Sequence, residues 1–243
     1  MYVFGATDIG RVRSSNQDSY RCGKLNETAV YAIVCDGMGG ANGGNIASNI
    51  AADIMEKRVV SQYRENMPEA SVLNMLESAV DAANIEVFDR ATADPELMGM
   101  GTTLITVIVD NGRAMVVHVG DSRVYYLSSD ELRQVTTDHS VVQEMIQKGQ
   151  ITEEQAKAHP RKHFITRAIG VENEVRPDFD VFDMKPKDRV LLCSDGLTNM
   201  IQQEKLKALL GQNAVDTLPA ELISQANENG GEDNITAVII EQC

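Results

Sequence analysis

Ala32-Ile33-Val34-Cys35-Asp36-Gly37-Met38-Gly39-Gly40 joins an apolar run to an aspartate and a glycine-rich turn. The run is typical of a buried strand, and the spacing of Ile46, Ile50 and Ile54 predicts a helix after the turn. The carboxylate of Asp36 therefore lies at the end of a strand, beside backbone that oxygen ligands can approach closely. Mg²⁺ and Mn²⁺ prefer such oxygen-rich sites. Because Asp-Gly is also a common hairpin turn, this stretch alone leaves both interpretations open.

The same arrangement recurs along the chain. An apolar run precedes Asp195-Gly196, another precedes Gly120-Asp121, a third follows Asp233, and Asp18 lies in a polar turn. If these strands share a sheet or a sandwich, the carboxylates can meet at one rim. Carboxylates gathered there would repel one another, and some would have to bind protons. Two or more divalent cations would remove this conflict. The five candidate ligands are Asp18, Asp36, Asp121, Asp195 and Asp233.

Length and charge restrict the class of protein. The 243 residues carry a formal charge of −14 with 22 basic side chains, which argues against a nucleic-acid partner. We expect one domain over residues 1–243 and a monomer. The N-terminus lacks the features of a signal peptide, and no apolar stretch approaches the ~20 residues of a membrane span. The four cysteines have no paired spacing, so we expect a cytoplasmic protein.

The periodicity predicts helices at both ends of the chain and strands in the middle. Residues 1–20 are predicted as a short strand and a polar turn. The other predicted strands are Thr28–Cys35, Thr102–Val109, Ala114–Val119, Val124–Leu127, Glu131–Val135, Phe179–Met184, Asp188–Cys193 and Ile235–Ile240. The predicted helices are Gly44–Arg64, Pro68–Arg90, Gln202–Leu210 and Val215–Asn227, with two helical pieces between His139 and Ala158. Short connections favour antiparallel sheets covered by helices.

Other chemistries find little support in the sequence. The four histidines form no zinc motif, since Pro160 separates His159 from His163. No arginine stands six positions after any cysteine, as a cysteine-dependent phosphatase requires, and the glycines near Gly37 lack the Gly-Lys of a nucleotide-binding loop. Asp178-Phe179-Asp180 could begin an aspartyl-phosphate site, but a solvated strand face explains it more simply. Arg13 is either a surface residue or an anion clamp facing the carboxylates.

Eight motifs in order resemble those of the metal-dependent Ser/Thr protein phosphatases of type 2C (PPM), in their compact bacterial form. They span nearly the whole chain, so chance resemblance is a poor explanation. The motifs are Thr7–Asp18, Asp36–Gly40, Gly101–Thr103, Val119–Arg123, Asp138–Ser140, Ile165–Gly170, Ser194–Leu197 and Asp233–Thr236.

The resemblance implies an α+β fold: a four-layer α-β-β-α sandwich of two antiparallel sheets flanked by helix pairs, with a flap at about residues 140–164. It implies that Asp36 bridges two Mn²⁺ or Mg²⁺ ions and that the Gly37 carbonyl binds one of them. It also implies that Asp195 and Asp233 are the other ligands of the first ion, and that Asp18 holds a metal-bound water. Asp121 with Asp195 resembles a third, weaker metal site. Arg13 resembles the phosphate clamp.

Four positions depart from the family pattern. Gln17 replaces the usual Glu, and Ala41 and Asn45 replace a His and a Glu common in bacterial relatives. Met38 stands where animal members carry a His proposed as the general acid, so the identity of the general acid is open. These departures bear on the tuning of the site and its rate more than on metal binding, since every matched Asp is present.

The resemblance implies hydrolysis of phosphoserine and phosphothreonine on proteins by a metal-activated bridging water. It also implies a cognate Ser/Thr kinase as a partner. Two alternatives remain at this point: a regulatory binding protein without turnover, motivated by the departures above, and a hydrolase of small phosphoesters.

Overall fold

The computed structural model describes the backbone of residues 1–212 and 214–243, and all side chains there except those of residues 40–42. Ala41 therefore has its side chain outside the described residues. The strands are β1 (Tyr2–Asp8), β2 (Asp18–Lys24), β3 (Ala29–Met38), β4 (Gly101–Thr102), β5 (Leu104–Asp110), β6 (Arg113–Val119), β7 (Arg123–Ser128), β8 (Glu131–Gln134), β9 (Asp178–Asp183), β10 (Arg189–Cys193) and β11 (Ile235–Glu241). The helices are α1 (Gly40–Gln62), α2 (Glu69–Ala93), α3 (Val141–Gln147), α4 (Glu153–Lys157), α5 (Asp195–Thr198), α6 (Gln203–Gln212) and α7 (Leu218–Glu228).

The strands form two antiparallel sheets. One sheet has the order β1-β11-β10-β7-β8, and the other has the order β2-β3-β5-β6-β9 with β4 beside β3. Every strand pair in both sheets is antiparallel. The antiparallel arrangement expected from the short connections is confirmed.

The side chains of β3 show how the layers pack. Ile33 and Cys35 join the core formed with α1 and α2, whereas Ala32 and Val34 join the core between the two sheets. Successive side chains of a strand point to opposite faces, so a strand buried on both faces needs a continuous apolar run. Burial of a side chain such as Ile33 contributes roughly 1.5–3 kcal/mol.

Helices cover the outer face of each sheet. The α1–α2 pair packs on the β2–β9 sheet, and α6 and α7 pack on the other through residues such as Leu206 and Leu222. The predicted four-layer α-β-β-α sandwich is confirmed.

Several predicted boundaries were wrong. The predicted polar turn includes the start of β2 at Asp18, and α1 begins at Gly40 instead of Gly44. Asp36 lies inside β3 and not at its end, because β3 continues to Met38 to pair with β4. The predicted strand from Thr102 is interrupted at Thr103, which separates β4 from β5.

The segment between β8 and β9 contains α3 and α4, the two helical pieces predicted around Gly149. Its stems meet where Ser140 and Ile165 form an isolated antiparallel bridge. Neither helix is anchored deeply, since α3 buries no residue and α4 buries only Ala156. Within the described residues, no helix combines the length and apolar character that crossing a membrane requires.

Candidate active site

Aspartates distant in sequence meet at one edge of the two sheets. Asp36 in β3 has Asp18 in β2 as its Cα partner. Asp121 follows β6, Asp195 begins α5 directly after β10, and Asp233 precedes β11. All but Asp18 line a cavity of about 880 Å³. The cavity is also lined by the two remaining predicted site residues, Arg13 and Gly37.

Burial and the charges of neighbouring carboxylates both act on Asp36. Its pKa is raised well above the usual value, first by burial and then by the charges of Asp18, Asp195 and Asp121. A buried carboxylate among like charges is costly unless a proton or a cation neutralises it.

Asp18 lies below the cavity and is buried. Its Oδ2 accepts hydrogen bonds from Ser194 Oγ at 2.7 Å and Thr236 Oγ1 at 2.6 Å. Its Oδ1 has no hydrogen-bond partner among the described residues. Burial raises the pKa of Asp18 to about 7, against the effect of the two hydroxyls, and Asp195 and Asp233 raise it further. This orphaned oxygen is what a cation, or a water held by one, would satisfy.

Threonines hold the backbone around Asp36. The Asp36 amide donates to Thr103 Oγ1 at 2.9 Å, and its carbonyl accepts from Thr102 Oγ1 at 2.9 Å and from the Thr103 amide at 2.8 Å. Thr103 Oγ1 also lies 2.8 Å from Ser122 Oγ, beside Asp121. The Gly101–Thr103 motif therefore positions two of the carboxylates by fixing backbone and not by contributing ligands.

Gly37 is packed too closely for any side chain. A Cβ there would collide with the Gly44 carbonyl and lie 2.6 Å from the Gln17 carbonyl, which accepts from the Gly37 amide at 3.1 Å. The side chain of Gln17 in turn approaches Gly44, because its Oε1 is 2.7 Å from where a Cβ of Gly44 would be. The glycines thus bring the start of α1 against the strand that carries Asp36.

Asp121 and Asp195, which also line the cavity, have raised pKa values for the same reasons. Burial raises the pKa of Asp121 to about 7, with Asp195 and Asp138 adding to it. Burial and Asp233 raise the pKa of Asp195, while Asn199 Nδ2 donates to its Oδ2 at 3.1 Å and opposes the shift.

Arg13 is the cationic group at the rim. Its Nη2 donates to Asp233 Oδ2 at 2.7 Å, and its side chain is 54% exposed. That hydrogen bond is the main cause of the raised pKa of Arg13. One carboxylate contact leaves other donors of the planar guanidinium exposed to the cavity, as phosphate binding requires.

The donor set fits hard divalent cations. Carboxylates and a backbone carbonyl are the ligands that Mg²⁺ and Mn²⁺ prefer, and cations would offset the burial and the repulsion that together raise the pKa values. The carboxylates surround a cavity and do not converge on one point. Among the described residues, the one group of three candidate ligands within 4.8 Å of one another is His118, His139 and Asp178.

The hydrogen bonds of this histidine group indicate a structural role and not a zinc site. His139 Nδ1 accepts from the Gly120 amide at 3.1 Å, so Nε2 carries the proton that it donates to Asp178 Oδ2 at 3.2 Å. Arg167 Nη1 already pairs with Asp178 Oδ1 at 2.7 Å. Nε2 of His139 is therefore protonated, and the guanidinium of Arg167 balances the charge of Asp178.

Cys35 and Cys193, the cysteines nearest the candidate aspartates in sequence, are fully buried, and burial raises the pKa of each thiol. Neither can supply the thiolate that a covalent phosphatase mechanism needs.

Sequence reasoning missed two sets of residues. Ser194 and Thr236 hold Asp18. Ser194 directly precedes Asp195 and Thr236 is three residues after Asp233, but their partner is 176 and 218 positions away. Lys162 and His163 of the segment between β8 and β9 line the cavity. The signal in the sequence for these two residues is the basic run Arg161–His163.

Comparisons with known proteins agree over nearly the whole chain. The sequence profile described as protein phosphatase 2C matches residues 9–237. A Listeria innocua relative, the serine/threonine phosphatase stp, is 36% identical over 246 residues, covering 100% of this chain and 96% of the relative. The structure of Mycobacterium tuberculosis serine/threonine phosphatase PstP/Ppp is similar at a TM-score of 0.90 and 33% identity, covering 99% and 98% of the two chains. The PstP catalytic domain in complex with 2 manganese ions is similar at a TM-score of 0.86 and 33% identity, covering 99% and 97%.

Proposed function

This chain belongs to the protein phosphatase 2C family, and from that premise we propose that its carboxylate-lined cavity is a metal-dependent phosphatase active site. The protein is a serine/threonine phosphatase that removes phosphate from proteins. The observation that supports the location is the meeting of four distant aspartates and Arg13 around one cavity, above a buried fifth aspartate with an unpartnered oxygen.

Asp36, the Gly37 carbonyl, Asp195 and Asp233 would hold two Mn²⁺ or Mg²⁺ ions, and Asp121 with Asp195 would hold a third, weaker ion. Bound divalent cations supply Lewis-acid chemistry, which lowers the pKa of water and neutralises charge on phosphoryl oxygens. The manganese-bound relative supports the count of two. Metal analysis of the dialysed protein should find two ions per chain, and a count of one would contradict this assignment.

The chain's own groups bind and orient the substrate. Arg13 would hold the phosphate through donors that Asp233 does not occupy, while its contact with Asp233 fixes the direction of the guanidinium. Thr102 and Thr103 keep the Asp36 backbone in place. Ser194 and Thr236 orient Asp18 below the cavity.

The deciding experiment is release of phosphate from a phosphothreonine peptide with Mn²⁺, with Mg²⁺ and with excess chelator. We expect turnover that requires the metal. Asp36→Asn and Asp233→Asn should each lower kcat at least about 100-fold without loss of folding, whereas Asp81→Asn, at an exposed position of α2, should not. Retained activity in either site variant would contradict the site, and a folded protein without turnover would favour a regulatory role.

Finer proposals concern the protein substrates, a partner kinase, the oligomeric state, the location and the domain organisation. We infer that a cognate Ser/Thr kinase is among the phosphoproteins it acts on, that the protein is a cytoplasmic monomer and that residues 1–243 form one catalytic domain. A higher kcat/KM for the phosphopeptide than for p-nitrophenyl phosphate would separate a protein phosphatase from a hydrolase of small phosphoesters. Light scattering after gel filtration tests the monomer.

A further inference from the structure

A second, smaller cavity lies beside α2. It has a volume of about 220 Å³, and its walls are mainly apolar: Phe88 and Thr92 of α2, then Met98 and Val171, with Gly99 and Gly170. We name it the Met98 pocket. Met98 is 78% exposed and Val171 is 46% exposed, although both are apolar. Pockets for drug-sized ligands are about 300–1,000 Å³, so this one suits a single side chain.

The pocket is rigidly built. Asn84 of α2 is 2% exposed, and its side chain accepts from the Gly170 amide at 2.8 Å and donates to the carbonyls of Glu172 and Asn173 at 3.0 and 3.1 Å. Gly170 has a φ of +83°, and a Cβ there would collide with Val87. Three hydrogen bonds to one buried amide fix the segment that presents Val171. A preformed pocket loses less entropy when it binds a ligand.

Strand β4 connects the surroundings of the pocket with those of the candidate active site. Thr102 of β4 pairs with Ile169 on one side, while β4 pairs with Gly37 and Met38 of β3 on the other. The side chains of Val171 and Met38 both approach the Cα of Gly101, at 2.7 and 3.0 Å from where a Cβ would be. Two strand spacings, roughly 10 Å, therefore separate Ile169 from Gly37, a distance that about three extended residues span.

The charges around the pocket restrict what can bind. Three exposed acidic residues lie within two positions of lining residues in the sequence: Asp89, Glu96 and Glu172. The one exposed basic residue of α2 near them is Arg90. An apolar side chain flanked by neutral or basic residues is therefore favoured over one flanked by acidic residues.

We propose that the Met98 pocket binds an apolar side chain of the phosphoprotein substrate, about three to six residues from the phosphorylated Ser or Thr. The proposal rests on the proposed function of the neighbouring cavity. It makes the pocket a determinant of substrate choice, since an exposed apolar surface next to an active site gains binding energy only from substrates that fill it.

The test is a series of phosphothreonine peptides that carry one leucine at successive positions on either side of the phosphothreonine, with serine elsewhere. We expect kcat/KM to rise about five- to tenfold at one or two positions only. Met98→Ser, which empties the pocket wall, and Thr92→Trp, which fills the pocket, should each abolish that preference. Val60→Ser is the matched control, because Val60 is 54% exposed on α1 and does not line the pocket.

Turnover of p-nitrophenyl phosphate should be the same in all four proteins, since that substrate cannot reach the pocket. Equal kcat/KM at every leucine position, or a preference that both pocket variants retain, would overturn the proposal while leaving the phosphatase activity intact. Loss of p-nitrophenyl phosphate and peptide turnover alike in the unmodified protein would instead show that the proposed function itself fails.

Discussion

Arg13 and Asp233 are 220 positions apart in sequence, yet their side chains meet at the cavity rim at 2.7 Å. Arg13 donates to one carboxylate oxygen, while Asp233 also accepts a hydrogen bond from the Asn234 amide at 2.8 Å. Both side chains are partly exposed, so the pair adds little to stability. We attribute its importance to orientation, because a guanidinium held by one contact is directed for a second anion.

Replacing this cation tests the clamp. Arg13→Ala should raise KM for a phosphothreonine peptide about tenfold and change kcat less than about threefold, because a hydrogen bond to a charged group is worth about 1.5–3 kcal/mol. Arg13→Lys should fall between, since lysine keeps the charge and loses the planar fork. Steady-state kinetics with metal in excess gives both constants, and an unchanged KM in the alanine variant would refute the role.

Among the secondary-structure elements, the two-residue strand β4 helps to hold the backbone around Asp36. Its last residue and the next, Thr102 and Thr103, hold both the amide and the carbonyl of Asp36. A buried amide that loses its acceptor costs about 1–3 kcal/mol. The strand order explains the arrangement, because β4 pairs with the extension of β3 beyond Asp36.

Thr103→Val should destabilise the protein by about 1–3 kcal/mol and lower kcat about tenfold, since valine keeps the shape and removes the acceptor of the Asp36 amide. Thr106→Val is the matched control. Thr106 is also fully buried, but its hydroxyl has no partner among the described residues, so the change should be neutral or stabilising. Urea unfolding measures the free energy of unfolding of both variants. Equal losses of stability in the two would argue against the role of Thr103 as acceptor of the Asp36 amide.

The segment of α3 and α4 should be the least stable ordered part near the site, because its helices bury one residue between them. Amides of Val141–Lys157 should exchange hydrogen for deuterium well before those of β5 and β6, whose strands are almost wholly buried. Exchange followed by mass spectrometry tests this. Protection equal to that of the two strands would exclude a mobile flap here.

For the whole molecule, the carboxylate cluster links stability to pH and to metal. The pKa values of Asp18 and Asp121 are raised to about 7, and those of Asp36 and Asp195 are raised as well. The folded chain therefore binds more protons than the unfolded chain between about pH 4 and pH 7. Stability that protonation provides is present in acid and is lost as the pH rises through the folded-state values. The pKa of His139 is lowered by burial, so this one group has the opposite effect on how stability changes with pH.

In chelator, the melting temperature should therefore increase by about 5 °C or more as the pH falls from 8 to 5.5, the reverse of ordinary acid destabilisation. With Mn²⁺ or Mg²⁺ in excess the trend should flatten or reverse, because the cations replace the protons and bind the folded state. Scanning calorimetry at both metal conditions measures it. A metal-free melting temperature that falls with acidification would contradict the buried cluster.

Periodicity predicted most elements because burial on one or both faces leaves a pattern in the residues themselves. The continuous apolar run of β3 and the alternation from β5 to β7 are of this kind. Strand β2 was missed because its first residues, Asp18 and Ser19, are polar yet buried. The burial of the Asp18 carboxylate is explained only by hydrogen bonds from hydroxyls in other parts of the chain.

By itself, the sequence determined the apolar spacing of the three cores, the candidate acidic ligands and the excess of negative charge that bound cations would relieve. The tertiary structure alone decided that Asp18 lies opposite Asp36, that Arg13 meets Asp233 and that Val171 stands beside Met38. The physical reason is the range of the interactions. Local spacing reports which face of an element is buried, whereas the register between strands and the packing of two sheets choose which distant side chains meet.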